Sequence, residues 1–387
     1  MNLNTIEFIR ENKNWRELLT QAPYYLSIDE DDDYALLKYN QIESDFNEPI
    51  CKECRGLIIS TKAKTAAALS FYKFFNVQES FADRIYWKDC KVQEKVDGSK
   101  MLMWYDDINN KWRLSTSGTL DAYKAEVSGF NISFGDLFDK ALNQMKINSD
   151  DFFKALDNKY CYTFELVSPE SRVVVPYKKC KVYLIGLRRL DDFMEESPDI
   201  ASDLIALGIP RPKEYPLHNL QECLSKAENM GYDEEGFVVV DKYWKRVKIK
   251  SPAYVAAHYL KGNGVNSKYK FMQIIERGEQ DEFLSYFPEY KEYVDEVDER
   301  MADLFARIEF AIFELIDMES DEEVDRKKQA EFINSKYKDI SGFLFKYLDI
   351  DLTKLFIASQ WSQLSKDKKM SLLGYKYNKE DESTSAN

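Results

Sequence analysis

The stretch EKVDGSKMLMWY, residues 94–105, decides how the chain is read. Two apolar-rich runs flank an Asp97-Gly98 dipeptide, and Asp-Gly between such runs predicts a tight turn joining two strands. Lys95 stands immediately before that turn, with apolar and aromatic positions on both sides. A lysine is costly to bury, so one placed here either reaches outward with its ammonium or is used chemically. The segments upstream and downstream decide between the two.

Working outward, RGLIIS (55–60), YCYTFELV (160–167), GFVVVD (236–241) and RVKIK (246–250) have the length and the β-branched or aromatic content of strands. Turn signals separate such runs at Asp97-Gly98, at Asn109-Asn110 and around Lys242, and helical stretches interleave at 133–145 and 217–231. The pattern predicts a mixed, antiparallel α+β domain over residues 1–255. From about residue 256 the period becomes helical: EYVDEVDERMADLFARIEFAIFELIDM (292–318) repeats apolar positions at spacings of three and four. This predicts a smaller all-helical domain over 256–375, then a polar, disordered tail over 376–387.

Composition bounds the function. The 387 residues leave room for about two domains. No apolar run is long enough to span a bilayer and no charged-then-apolar leader opens the chain, so the expectation is a soluble, cytoplasmic protein with no membrane partner. The six cysteines read as free thiols. Cys51-x-x-Cys54 lacks a second pair, and only His218 and His258 are available to complete a zinc site, which makes zinc a weak reading. A net charge of −14 excludes the broad basic footprint of a protein that grips nucleic acid non-specifically. Any nucleic acid must be held in a local electropositive cleft.

Several segments supply such a cleft. In a strand, Lys248 and Lys250 of VKIK point to one face, where two like charges repel unless an anion lies between them; a solvent-facing lysine stripe is the bland alternative. A lysine nucleophile must lose its proton, and neighbouring cations together with a metal ion favour the neutral amine. Lys248, Lys250 and Mg²⁺ are the expected agents acting on Lys95, and they would also neutralise a pentacoordinate transition state. Glu165 and Glu235 offer carboxylates to a sugar hydroxyl and to water on a hard cation, unless they are ordinary strand-end glutamates. Gly98 and Gly236 permit close backbone approach to a nucleotide. Arg55 and Lys73 lie upstream, where a strand-borne arginine can fork onto phosphate oxygens.

In this order, K-x-D-G at 95–98, a strand glutamate at 165, E-G at 235–236 and K-x-K at 248–250 resemble the covalent nucleotidyltransferases, the ATP-dependent ligases and capping enzymes. ECRGLIIS (53–60), YKFFNVQE (72–79), VSPESRVVVPY (167–177) and KIKSPAYVAAH (248–258) resemble, more closely, the RNA ligase 1 family of T-even phages. The likeness spans about residues 50–260.

The resemblance implies an antiparallel-sheet adenylyltransferase domain followed by helices, with ATP and Mg²⁺ (or Mn²⁺) as cofactors. Lys95 would become adenylylated, Glu165 would bind the ribose, and Glu235 would orient water on the metal, with Glu165 also near it. Lys248 and Lys250 would hold the α-phosphate, while Arg55 and Lys73 would engage the pyrophosphate end; Gly98 and Tyr254 complete the nucleotide site. The implied reaction joins 5′-phosphate and 3′-hydroxyl RNA ends in RNA repair, on substrates such as broken tRNA, in the host cytoplasm for a phage-encoded chain. No G-x-x-x-x-G-K-[ST] phosphate loop occurs in the sequence, so a separate end-healing kinase and phosphatase is expected as a partner.

One position departs from the family: Ser117 stands before Gly118 where a basic residue is usual, and Lys111 or Arg113 are the candidates to substitute. Two other readings remain beside this one. A DNA ligase or GTP-using capping enzyme shares the motif order, but would follow K-x-K with a strand-rich OB-fold. A non-catalytic nucleotide- or RNA-binding module would keep the fold without the chemistry.

Overall fold

A computed structural model describes residues 3–260, 268–319, 326–349 and 355–375. The chain divides into two compact units, Met1–His258 and Tyr259–Asn387. The first begins with two short helices, α1 (Asn4–Glu11) and α2 (Trp15–Leu19). Strands β1 (Ser27–Glu30) and β2 (Tyr34–Lys38), helix α3 (Pro49–Glu53), then β3 (Arg55–Ser60) and β4 (Thr65–Ala68) follow. The four strands form an antiparallel sheet in chain order. RGLIIS is buried along almost its whole length because one face meets α1 and α2, while Ile58 on the other joins Trp104 and Tyr34.

Strands β5 (Phe75–Asn76), β6 (Lys91–Glu94), β7 (Ser99–Asp106) and β8 (Lys111–Thr116) come next. Helices α4 (Phe134–Gln144) and α5 (Ser149–Lys154) precede β9 (Tyr160–Val167), β10 (Lys181–Arg189) and β11 (Glu195–Glu196). A short α6 (Ser202–Ala206), β12 (Glu214–Tyr215) and α7 (Leu220–Glu228) lead to β13 (Gly236–Val240), β14 (Arg246–Lys250) and α8 (Pro252–Leu260). The strands sort into two further sheets, ordered β11-β10-β9-β7-β8 and β12-β6-β13-β14-β5. A capping box between Ser133 and Asp136 starts α4, and its apolar stripe, with Phe138 against Phe152 and Phe164, covers the β9 sheet. Full burial of one such ring contributes roughly 1.5–3 kcal/mol.

The Asp97-Gly98 turn is not a hairpin. β6 pairs with β13 whereas β7 pairs with β8 and β9, so residues 95–98 carry the chain from one sheet to the other. A two-residue hairpin of the favoured type needs positive φ at both central positions, and neither Asp97 nor Gly98 has it. Gly98 is small for another reason: an added Cβ would lie 2.4 Å from the Leu166 carbonyl oxygen of β9. At Asn109-Asn110 the chain does turn, with Asn110 at φ 50° between the paired strands β7 and β8.

In the second unit every described element of regular structure is helical: α9 (Lys268–Glu276), α10 (Gln280–Tyr286), α11 (Lys291–Glu319), α12 (Arg326–Lys336), α13 (Ser341–Asp349), α14 (Leu355–Ser362) and α15 (Lys366–Leu372), with one short 3₁₀ turn. Along α11 the buried positions Val294, Val297, Met301, Leu304, Ile308, Ala311 and Leu315 alternate at three and four residues, as the sequence predicted. No described residues after β14 form the strands of an OB-fold. The tail expected over 376–387 lies outside the described residues. No described helix is long and apolar enough to cross a membrane.

Candidate active site

Lys95 leaves β6 still in register with its neighbour: its backbone N–H donates to the Gly236 carbonyl at 2.8 Å. Gly236 opens β13 at φ +133°, where an added Cβ would lie 2.1 Å from the Ile249 carbonyl oxygen and 2.8 Å from Lys250 Cα. Only glycine fits that approach, and it seats Glu235 beside both lysines. Lys95 Nζ lies 2.7 Å from Glu235 Oε1, and Lys250 Nζ lies 4.0 Å from the same oxygen. The second Glu235 oxygen, Oε2, is buried with no hydrogen-bond partner. Burial pushes the Glu235 carboxyl above its usual range, opposed by Lys95 and Lys250.

A cavity of about 320 Å³ opens in front of this pair. Arg55, Lys95, Gly98, Glu165, Lys248 and Lys250 all line it. β14 lies between β13 and β5, and Lys248 and Lys250 are its half-buried residues while Val247 and Ile249 are buried. The shared lysine face is therefore the cavity wall and not a solvent stripe. Arg55 lies over the Phe74 ring at 4.7 Å, and its Nη1 is buried without a hydrogen-bond partner. A buried guanidinium nitrogen left unsatisfied costs free energy that an oxyanion would recover.

Two expected residues lie elsewhere. Lys73 is not on this wall: its Nζ sits 4.8 to 5.2 Å from the ring centres of Tyr39, Phe46 and Phe75 and donates to Gln41 Oε1 at 2.9 Å. The aromatic cage and the amide hold the ammonium where it stands. Tyr254 is buried, and its hydroxyl donates to Asp97 Oδ1 at 2.8 Å. The other Asp97 oxygen accepts from the Val174 and Val175 amides at 2.9 and 2.7 Å. Asp97, which the sequence presented as a turn residue, ties the loop that bears Lys95 to the 174–175 segment and to α8.

Sequence reasoning missed three further groups. Lys100, on β7 opposite Glu165, lines the cavity and donates to the Arg55 carbonyl and Ser70 Oγ at 2.6 and 2.5 Å. Burial and the Arg55 guanidinium hold its ammonium well below the usual lysine range. Arg246 also reaches the wall, with its guanidinium bonded to Glu195. Neither substitute proposed for Ser117 is there: Arg113 pairs with Asp31 at 2.7 Å, and Lys111 is exposed opposite Asp106 at the far end of β8. The nearby cation is Lys38, from β2, whose Nζ lies 3.2 Å from where a Gly118 Cβ would stand. No local spacing links residue 38 to residue 118; the β2–β3 pairing, which sets Lys38 opposite Arg55, does.

The site falls almost entirely within one recognisable segment. The sequence model of the family described as RNA ligase matches residues 53–254, just over half of the chain. The chain belongs to this RNA ligase family. Among its relatives is the "Putative bifunctional polynucleotide kinase/RNA ligase" of Autographa californica nuclear polyhedrosis virus, 31% identical over 280 residues, or 68% of this chain and 38% of the relative. The RNA ligase of Rhodothermus phage RM378 is 27% identical, over 59% of this chain and 65% of its own. The chain thus spans less than two thirds of either relative. A solved archaeal ATP-dependent RNA ligase aligns at TM-score 0.47 and 13% identity, over 79% of this chain and 83% of that one.

Glu165 gives the family site a titration of its own. Burial, with a smaller push from Glu235, raises its carboxyl to about 7 against the opposing pull of Lys95. An unfolded glutamate ionises near 4.5, so between those values the folded chain holds more protons than the unfolded one and stability falls as pH rises. Glu165→Gln removes this titration. Measured from pH 4.5 to 7.5, the variant's melting temperature should gain on that of the parent as pH rises, by the equivalent of on the order of 2 kcal/mol after solvent screening. A pH-independent gap would contradict the buried carboxylate.

Proposed function

We propose that the chain is an ATP-dependent RNA ligase that joins 5′-phosphate and 3′-hydroxyl RNA ends through a lysyl-AMP intermediate and an RNA-adenylate. The observation that carries the reading is Lys95 Nζ at 2.7 Å from Glu235, on the wall of a cavity shared with Arg55, Glu165, Lys248 and Lys250. Lys95 attacks the α-phosphorus of ATP, the bond to pyrophosphate breaks, and a phosphoramidate forms. AMP then passes to the 5′-phosphate of RNA, and a 3′-hydroxyl displaces it to seal the phosphodiester.

The side chains mainly position and stabilise, as phosphoryl transfer requires. Lys248 and Lys250 face the α-phosphate, and the Arg55 Nη1 left without a protein acceptor suits the outgoing phosphates. Lys38 supplies a cation at Gly118, and Glu165 accepts from a ribose hydroxyl. The Lys95–Glu235 pair must open, and the ammonium must lose its proton, before attack. A charge-assisted bond of this kind is worth roughly 1.5–3 kcal/mol, small beside the roughly 8–23 kcal/mol by which enzymes lower a barrier.

A divalent cation fits here. No set of three or more His, Cys, Asp or Glu among the described residues is placed to hold a metal ion, and Mg²⁺ commonly keeps its waters and binds through one or two carboxylates plus phosphate oxygens. Glu235, with its unpartnered Oε2, and Glu165 would hold it through water. When bound, such an ion would neutralise charge on the phosphates.

The physiological setting in this reading is RNA repair, with broken tRNA as a substrate and a kinase and phosphatase preparing the ends. The name of the baculovirus relative, which pairs a polynucleotide kinase with an RNA ligase, supports the kinase. The test is a pulse and chase: protein incubated with α-labelled ATP and Mg²⁺, then with 5′-phosphorylated RNA. One AMP per chain, held by an alkali-stable and acid-labile bond, passed to RNA and followed by joining, is the expected result. Labelling by GTP instead would point to capping chemistry, and labelling by neither to a binding module.

A further inference from the structure

A second cavity, of about 500 Å³, adjoins the first and shares Phe74 and Arg246 with it. Its lining interleaves aromatic and basic side chains, among them Tyr72, Phe81, Tyr243 and Trp244 with Lys52 and Lys245. Tyr243 is 63% exposed and Phe81 36%, while Lys245 is exposed at the tip beside them. Aromatic side chains gathered in one exposed patch beside lysines mark an interaction surface.

The turn between β13 and β14, which presents Tyr243, is densely hydrogen-bonded. Asp241 Oδ1 accepts from the Tyr243 and Lys245 amides at 2.8 and 3.0 Å, and its Oδ2 accepts from the Tyr86 amide at 3.0 Å. The Asp241 carbonyl accepts from Trp244 N–H at 3.0 Å, and Trp244 is held at φ 63°, a rare conformation for so bulky a residue. Tyr243 also meets Tyr86 edge-on at 6.0 Å, with Lys242 Nζ over both rings at 4.3 and 5.1 Å.

The charge selects the occupant. Five cations (Lys52, Lys73, Arg188, Lys245 and Arg246) line the cavity against the carboxylates of Glu53, Asp83 and Glu195. Glu195 pairs with Arg188 and Arg246, and Glu53 accepts from the amides that start α1, which leaves Lys52 and Lys245 facing Asp83. Lys52 lies over Phe81 at 5.6 Å, and among the described residues neither it nor Lys245 has a carboxylate partner. In a chain of net charge −14 this is a local excess of positive charge, and aromatic faces beside cations are how proteins hold unpaired nucleotides.

We propose that this groove binds single-stranded RNA next to the end being joined, with Tyr243 and Phe81 stacking bases and Lys52 and Lys245 meeting phosphates. The assignment rests on the RNA ligase reading. It is tested on the full chain with a 5′-phosphorylated single-stranded oligoribonucleotide, comparing the parent with Tyr243→Ala, Tyr243→Phe and Lys245→Ala. Tyr243→Ala should raise KM for the RNA about tenfold or more, and Tyr243→Phe should restore it. Lys245→Ala should flatten the salt dependence of binding by about one unit of log–log slope. Lysyl-AMP formation from ATP should be unchanged in all of them.

Unaltered RNA KM and salt slope in the alanine variants would overturn the groove, and so would a loss of lysyl-AMP, which would assign the tip to the nucleotide site. If the parent itself forms no lysyl-AMP, the ligase reading fails instead.

Discussion

The Lys95→Ala protein is expected to fold and to carry no AMP. The substitution removes the proposed nucleophile outright, and losing such a group typically costs on the order of 10⁴–10⁶ in rate. It also leaves Glu235 buried opposite Lys250 alone, 4.0 Å away, so some loss of stability accompanies it, roughly 1–3 kcal/mol. Lys95→Arg separates the two effects. It keeps a cation facing Glu235 but offers a guanidinium, which stays protonated and does not attack phosphorus. Intact mass after incubation with ATP and Mg²⁺ should show one AMP on the parent and none on either variant, with the Arg variant melting nearer the parent. An adduct on either variant would place the nucleophile elsewhere.

Gly236→Ala should damage stability and chemistry together. The alanine must adopt φ +133° with its Cβ 2.1 Å from a backbone oxygen of β14 and 2.8 Å from Lys250 Cα. Backbone strain of this kind costs about 1–3 kcal/mol, and overpacking a similar amount. Neither clash involves a flexible side chain that could move aside, so β14 itself must shift. That displaces Lys250 and Glu235, and lysyl-AMP formation should fall at least tenfold in whatever protein still folds. Denaturant unfolding and the adenylylation assay read the two losses; normal stability would mean that the β13–β14 approach is looser than described.

Much of this was legible before the structure because its signals are local. The three-and-four spacing of α11 and the alternation that sets Lys248 and Lys250 on one face depend only on neighbours in sequence. What was not legible depended on distant partners. Asp97-Gly98 carries a hairpin signal, but β6 and β7 each found a different strand to pair with. Lys73, expected at the phosphates, stands among Tyr39, Phe46 and Phe75, which reach it from separate segments. Lys38 and Lys100 carry no motif, and they join the site only because β2 lies beside β3 and β7 beside β9.

The passage of residues 95–98 from one sheet to the other has a consequence for how the protein can be assayed. Lys95 is aligned by β13 through its own amide, while the loop that bears it is anchored on the other sheet by Gly98 against Leu166 and by Asp97 at the segment that follows β9. Neither sheet alone fixes the position of Lys95. Under the proposed lysyl-AMP chemistry, covalent labelling by ATP should therefore report molecules in which both sheets have assembled, and species that lack either sheet should stay dark.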